Sequence, residues 1–269
     1  MSTHKSINQI TDMEVARHWD SNADLWTEHV RKGWDAYREY WNNPAFLKFI
    51  GDLSGKKVLD AGCGEGYNTR ILAHQGAKMT GIDISRKMIS HARQAEKKEP
   101  LGIHYEITSY SDISIFTDNS FDAVVSFMAL MDGTDYKGAL KEIYRVLRPH
   151  GKLYFSINHP CFMTPGFGWL GEKDSPDVKL TVSGYFKRKA SVERWHFSQL
   201  PDPESVPFFS VPRFDRTLSD YLNTLIETGF ILKKIGEPEP TSETCKKHPF
   251  LNKWKSTAAL FMYIHAIKP

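Results

Sequence analysis

"VLDAGCGEGYNTR", Val58–Arg70, sets three glycines, Gly62, Gly64 and Gly66, at alternate positions directly after a short apolar run. An apolar run ending in a glycine cluster reads as a buried strand that turns into a helix. Glycines at such a turn let the backbone approach a ligand closely. The spacing fits neither common phosphate loop. G-x-G-x-x-G needs its third glycine one residue later, where Tyr67 stands, and no Gly-Lys-Ser/Thr follows. The stretch carries two acids, Asp60 and Glu65, and no base before Arg70. A pyrophosphate there would meet charges of its own sign, a cost of about 1 kcal/mol at about 4 Å in water and more where solvent is excluded. The loop therefore suits a ligand that bears a cation.

Working outward, the pattern alternates. "KKVLDA" is a first strand, and "NTRILAHQGA" a helix with Ile71 and Leu72 on its apolar side and a stop at Gly76. "KMTGIDIS" is a second strand. Ser85 is placed to cap the helix "RKMISHARQAEKKE", which Pro100 ends. "GIHYEIT" and "SFDAVVSFMAL" are the third and fourth strands, "DYKGALKEIYRVLRP" is a helix running to Pro149, and "GKLYFSIN" is the fifth strand. This alternation predicts a parallel sheet with helices on both faces. From Pro160 to Pro212 the rhythm breaks into a stretch rich in Pro, Gly and aromatics, the composition of a lid or binding insertion rather than of disorder. "TLSDYLNTLIETGF" then reads as a helix stopped at Gly229, and "FILKKIGE" and "STAALFMYIHAIK" as two closing strands.

The totals narrow the function classes. The 269 residues carry a formal net charge of +3, 41% hydrophobic and 25% charged residues, the profile of a globular chain with a full core. Lys and Arg are scattered, and the clusters at Lys187–Lys189 and Lys246–Lys247 read as solvated loops, so a nucleic-acid partner is not expected. The three cysteines, Cys63, Cys161 and Cys245, form no CxxC pair, which points to a reducing, cytoplasmic setting. The first twenty residues lack the apolar centre of a signal peptide, and the longest apolar run, "AVVSFMALM", is far short of the ~20 residues that span a bilayer, so no membrane association is expected.

Asp83, at the end of the second strand in "GIDIS", stands about 20 residues beyond the loop, where an acid accepts hydrogen bonds from ribose hydroxyls; the plainer reading is a helix cap. A cation, a ribose and no phosphate describe S-adenosylmethionine. "VLDAGCGEG", "GIDIS", "DNSFDAVVS" and "EIYRVLRPHGKLYFSI", in that order, resemble a class I S-adenosylmethionine-dependent methyltransferase of the small-molecule, methyltransferase type 11-like kind, over about Lys56 to Asn158, with "LSDYLNTLIETGF" extending the likeness. The resemblance implies an α/β, Rossmann-like seven-stranded sheet, mostly parallel with an antiparallel last strand, helices on both faces and an aromatic-rich insertion after the fifth strand. It implies one methyltransferase domain over 1–269: cap helices in 1–55, a cofactor-binding core in 56–158, the insertion in 159–213 and the rest of the sheet in 214–269. It places Asp60, Gly62, Cys63 and Gly64 at the methionine part of the cofactor, Asp83 at the ribose, and Ile84 and Met88 beside the adenine. Asp112, with Ser111 next to it, is the acid expected at the adenine amino group, a turn cap being the equal alternative. Phe127 and Met128 are expected under the cofactor.

Methyl transfer is an in-line displacement in which positioning supplies much of the rate, and a general base is optional. His159, after the fifth strand in "INHPCF", is the base candidate, against the alternative that it orders the turn before Pro160. Cys161 is expected to be buried or lining rather than a nucleophile. The aromatics Trp19, Trp26, Trp34, Tyr37 and Trp41 offer an apolar pocket to a minority of their number, with Met131 and His159 beside it and Arg38 as a partner for the cofactor's carboxylate. The acceptor is then small and apolar or aromatic, no metal is called for, and a homodimer is left open. Two alternatives stand: a methyltransferase acting on RNA or protein, and a non-catalytic protein that binds S-adenosylmethionine.

Overall fold

The computed structural model describes residues 10–171, 178–197 and 199–269. Its centre is a seven-stranded sheet. The strands are β1 (Lys57–Ala61), β2 (Lys78–Asp83), β3 (His104–Ile107), β4 (Phe121–Phe127) and β5 (Leu147–Asn158), with β10 (Ile231–Gly236) and β11 (Phe261–Ile267) from the end of the chain. Their order is β10-β11-β5-β4-β1-β2-β3. β1 to β5 pair in parallel, while β11 runs antiparallel to both β5 and β10. This is the mostly parallel sheet that the alternation and the resemblance predict.

Side chains alternate across a strand, and here both sides are apolar. Val58, Ala123, Val125, Tyr154 and Tyr263 point into one core, where α2 (Asn43–Ile50) brings Phe46 and Ile50, α3 (Tyr67–His74) Leu72, and α4 (Arg86–Lys98) Ile89 and Ala92. Their neighbours Leu59, Val124, Leu153, Phe155, Met262 and Ile264 point into the other, against Leu140, Ile143 and Val146 of α5 (Tyr136–Val146) and Tyr221 and Leu225 of α6 (Leu218–Glu227). Strands covered on both faces explain the unbroken apolar runs.

Two expectations change. The α5 helix ends at Val146, not at Pro149, and β5 begins at Leu147. Between Leu147 and Lys152 the register against β4 slips, and Pro149 lies in that bulge, where its missing N–H costs no ladder bond. The aperiodic insertion is also more regular than its composition suggested. It forms two antiparallel pairs, β6 (Gly168–Leu170) with β7 (Lys179–Thr181) and β8 (Ala190–Trp195) with β9 (Phe209–Phe214).

The N-terminal helix α1 (Asp12–Arg31) starts in a capping box between Thr11 and Glu14, with acids in its first turn and His29 and Arg31 in its last. It is held at three places. Asp20 Oδ1 accepts from Ser85 Oγ at 2.6 Å and from the Lys87 amide at 3.0 Å, where Ser85 caps α4. Asn22 exchanges two bonds with the backbone of Ser210 in β9, at 2.9 and 3.1 Å. Asp12 accepts from Thr134 and Ser111, beyond β4 and β3. α1 thus spans the carboxyl edge of the sheet and joins it to the insertion. No helix among the described residues is long and apolar enough to cross a membrane.

Candidate cofactor and acceptor cleft

In an open α/β sheet ligands bind where the strand order reverses, outside the carboxyl ends of the strands. Here that point lies between β1 and β4, and a cavity of about 640 Å³ opens there, within the usual range of ~300–1,000 Å³ for small-molecule sites.

The opening glycines are explained at this edge. Gly62, Gly64 and Gly66 have φ of 82°, 56° and 88°, the left-handed region that side chains disfavour. A Cβ at Gly62 would also stand 2.3 Å from the Cβ of Ala129, just beyond β4, and one at Gly66 would meet the Tyr105 hydroxyl at 2.6 Å. The bend is tied to β2 by the Gly64 amide, which donates to Asp83 Oδ2 at 2.9 Å, while Asp83 Oδ1 accepts from the Ser85 amide at 2.8 Å. Met128, ending β4 at φ 55°, is a left-handed residue that is not glycine; its amide donates to the Ser156 carbonyl and hydroxyl at 3.0 and 3.1 Å. Such strain concentrates at functional sites.

Four buried polar atoms of cleft-lining residues have no hydrogen-bond partner among the described residues; one is Thr164 Oγ1 in the insertion, and the other three lie near the glycine bend. Asp60 uses Oδ2 to accept from Thr69 at 2.7 Å and leaves Oδ1 unmatched. Asn43 donates to Asn68 at 2.7 Å and leaves its own oxygen unmatched. Arg38, over the Tyr67 ring at 4.5 Å, has no hydrogen-bond partner at Nη2, which stands 3.8 Å from Glu65. An unsatisfied buried group costs about 1–3 kcal/mol and is rare in native proteins. Burial pushes Asp60 up to about 7, with the Asp83 charge adding to it and the Thr69 bond opposing. Asp83 is pushed up to about 6 by burial against the amides that hold it.

The charge reading of the loop needs one correction. Glu65 does not face a ligand without a base. Arg31 of α1 stands 3.7 Å away and Arg38 3.8 Å, both from sequence that precedes the loop. Asp60 and Asp83 are the acids at the glycine bend with no arginine paired to them among the described residues.

Of the residues singled out from sequence, Asp60, Gly62, Cys63, Gly64, Asp83, Ile84, Met88, Ser111, Phe127 and Met128 line the cleft, as do Trp19, Trp26, Tyr37, Arg38 and Met131. Asp112 does not: it is exposed, and its carboxylate caps the turn by accepting from the Ser114 hydroxyl at 2.8 Å. Trp34 packs instead against His29 and under Lys32, and Trp41 lies in the core with Phe261 and Trp254. His159 is buried outside the cleft. Its Nδ1 accepts from the Cys161 amide at 3.2 Å, which leaves Nε2 as the donor to Glu237 at 2.8 Å. Both ring nitrogens are engaged, so His159 orders the turn and has no lone pair to offer an acceptor.

The sequence reading missed Asn43, Tyr110, Asp132, Arg213 and Arg216, which all line the cleft. Tyr110, whose hydroxyl donates to the Ala129 carbonyl at 3.0 Å, had a signal in the aromatic of "ITSYSDIS". Asn43 opens α2, Asp132 ends the 3-10 turn Leu130–Asp132, Arg213 lies at the end of the insertion and Arg216 just beyond it, and no motif marks any of them.

Comparison with known proteins agrees with this geometry. The family model described as "Methyltransferase domain" matches residues 59–155. A demethylmenaquinone methyltransferase of Tropheryma whipplei is 38% identical over 163 residues, 58% of this chain and 66% of that protein. A ubiquinone biosynthesis O-methyltransferase of Coxiella burnetii is 32% identical over 152 residues, 51% of this chain and 64% of that protein. The chain thus spans just under two thirds of these curated relatives. The crystal structure of an S-adenosylmethionine-dependent methyltransferase from Mesorhizobium loti superposes with a TM-score of 0.67 at 26% identity, over 83% of this chain and 96% of that one. By its domain match, its sheet order and its likeness to these proteins, this chain carries the domain of S-adenosylmethionine-dependent methyltransferases over residues 59–155.

Proposed function

We propose that this protein transfers the methyl group of S-adenosylmethionine to a small, aromatic or apolar acceptor. Three of the four unmatched polar atoms, those near the glycine bend, carry the reading. One is a cationic donor, Arg38 Nη2, and two are acceptors, Asp60 Oδ1 and Asn43 Oδ1. Together they complement the carboxylate and ammonium of an α-amino acid, the end of the cofactor that no nucleotide shares. Asp83 remains for the ribose hydroxyls, Ile84 and Met88 for the faces of the adenine, and Ser111 for its edge. When bound, the cofactor supplies a methyl group on a sulfonium, already a good leaving group. The protein's part is to position the acceptor and exclude water. The acceptor side is walled by aromatics, with Trp26 meeting Trp195 and Phe197 at centroid distances of 5.7 and 5.0 Å. The curated relatives, named for ubiquinone and demethylmenaquinone, support a quinone-like ring.

Thermal unfolding with added ligands tests the cofactor. S-adenosylmethionine and S-adenosylhomocysteine at a hundredfold over Kd each add about 2.7 kcal/mol, a rise of roughly 5–10 °C for a chain of this size. NAD and ATP leave the transition in place. A rise with NAD or ATP and none with the two adenosyl compounds would overturn the reading.

Cofactor affinity also depends on pH. The ammonium favours the ionised form of Asp60, which in the free protein holds a proton up to about pH 7. Below that pH binding must displace the proton, so affinity falls by about tenfold from pH 8 to pH 6. The free protein shows the opposite trend in stability. The folded state keeps on Asp60 a proton that the unfolded chain loses near the model-peptide value of ~3.9, so this contribution is lost as pH rises through 7. Calorimetric titrations at the two pH values check the sign; affinity that rises on acidification contradicts the assignment.

A further inference from the structure

Resting on that methyl-transfer reading, we propose that Asp132 is the catalytic proton acceptor for a phenolic hydroxyl, with Arg213 and Arg216 holding the compensating charge beside it. Asp132 ends the 3-10 turn Leu130–Asp132, which follows β4 directly. The residue is 91% buried and lines the cleft, to which its carboxylate oxygens stay open, and they accept no hydrogen bond among the described residues. Every other buried Asp on this edge has a structural bond: Asp60 to Thr69, and Asp83 to two amides. A carboxyl on a largely buried residue, open only to the cleft and without a structural bond, is free to accept a proton or hydrogen bond from what binds there.

The turn is held so that this carboxyl stays in place. Arg216 donates from Nη1 to the Met131 carbonyl at 3.0 Å and from Nη2 to the Gly133 carbonyl, gripping the backbone on both sides of Asp132. Behind it, Ala129 packs on Gly62 and Gly133 packs on the Tyr110 ring, which sets the turn against the glycine bend that holds the cofactor. Arg213 is fixed by Glu193 and Asp215, each at 2.7 Å.

The groups whose charge reaches Asp132 are Glu193 of β8, Arg213 of β9 and Arg216 after it, and the charge of Asp132 in turn reaches Tyr110 and Tyr221. Burial pushes Asp132 well above the usual carboxylate range and Glu193 pushes it further, while Arg216 and Arg213 oppose both. A general base works best when its affinity for a proton lies near the working pH. Unlike Arg213, Arg216 has no ion-pair partner among the described residues; its guanidinium meets two carbonyls, the Tyr221 hydroxyl and the Tyr136 and Phe214 rings, all uncharged, so its charge is not cancelled by a carboxylate before it reaches Asp132.

The step balances in atoms and charge. The oxygen–methyl bond forms as the sulfur–methyl bond breaks, the bonding pair goes to sulfur, and the hydroxyl proton goes to Asp132 and then to solvent as product leaves. A sulfonium and a carboxylate become a neutral sulfide and a neutral acid. No charge is stranded in a cleft where the dielectric is low. The aromatic walls select a ring, and the carboxyl selects one that bears an acidic hydroxyl.

The test uses Asp132→Asn in the full chain with two probe phenols, hydroquinone and 4-nitrocatechol, the second being ionised without help at about pH 8. The variant is expected to bind S-adenosylmethionine within threefold of wild type. Its transfer to hydroquinone falls by about a hundredfold or more, the usual worth of a general base, and that to 4-nitrocatechol by less than about tenfold. Without acceptor, the infrared carbonyl band of a protonated carboxyl, absent from Asp132→Asn, titrates above the usual carboxylate range. The acidic limb of the hydroquinone pH–rate profile follows that titration and vanishes in the variant. Equal losses on both phenols, an unchanged hydroquinone rate, or a wild-type protein that binds cofactor and methylates neither phenol would overturn the proposal. A wild-type protein that fails to bind the cofactor instead overturns the reading beneath it.

Discussion

Gly62→Ala is expected to lower the melting temperature by roughly 10 °C and to weaken cofactor binding on the order of a hundredfold. Two costs combine. An alanine at φ 82° sits in the left-handed region, at about 1–2 kcal/mol. Its Cβ would also stand 2.3 Å from that of Ala129, an overpacking worth about 1–3 kcal/mol. At about 2–4 °C per kcal/mol for a chain of this size, their sum gives the shift. The affinity loss follows because the segment that must yield carries Met128, Met131 and Asp132, all lining the cleft, and a displacement of about 1 Å at such a site costs on the order of a hundredfold. Ala129→Gly in the same chain removes the clash but not the strain, so it should restore roughly half of the stability. Gly64→Ala is the contrast. With no atom within 4 Å of its Cβ it meets only the backbone strain, about 1 kcal/mol. Equal effects at Gly62 and Gly64 would show that Ala129 plays no part.

Arg38→Ala is the second large effect. The guanidinium is mostly buried, lines the cleft and has one nitrogen unmatched. If that nitrogen meets the cofactor's carboxylate, its loss removes a charge-assisted hydrogen bond of about 1.5–3 kcal/mol, an affinity loss of roughly 10- to 150-fold. Arg38→Lys keeps the charge but not the planar fork and recovers only part. Titration with 5′-methylthioadenosine, which lacks the amino-acid end, separates contact from collapse. Its affinity should be the same in wild type and both variants; a matching loss there would mean that Arg38 acts by supporting Glu65 and the loop.

The parts legible in the sequence were local ones. Val58–Arg70 encodes strand, bend and helix within thirteen residues, and the positive φ at Gly62, Gly64 and Gly66 is a backbone demand that side-chain identity announces. Asp83 is legible because its distance from the loop is fixed by the length of one βα unit. The two-sided core follows from apolar runs that alternate with helices. What was not legible depends on contacts distant in sequence. Glu65 looked unopposed because Arg31 and Arg38 come from elements folded back over the loop. His159 sat at the right edge of the sheet, yet Glu237, 78 residues later, and the Cys161 amide take both of its nitrogens. Asp132 passed unnoticed in "MALMDG", since only Arg213 and Arg216, supplied by and just after the insertion, give it meaning. The insertion itself hid its strands because short, half-exposed pairs such as Gly168–Leu170 carry no clear period.

The central claim is that Arg38, Asp60 and Asn43 are held unmatched for the amino-acid end of the cofactor. Calorimetric titration of the wild-type protein with S-adenosylhomocysteine and with 5′-methylthioadenosine at pH 8 tests it most directly. The two share adenine, ribose and sulfur and differ in the group those three residues would meet. The account predicts that S-adenosylhomocysteine binds at least about a hundredfold more tightly, about 2.7 kcal/mol. Equal affinities would contradict it.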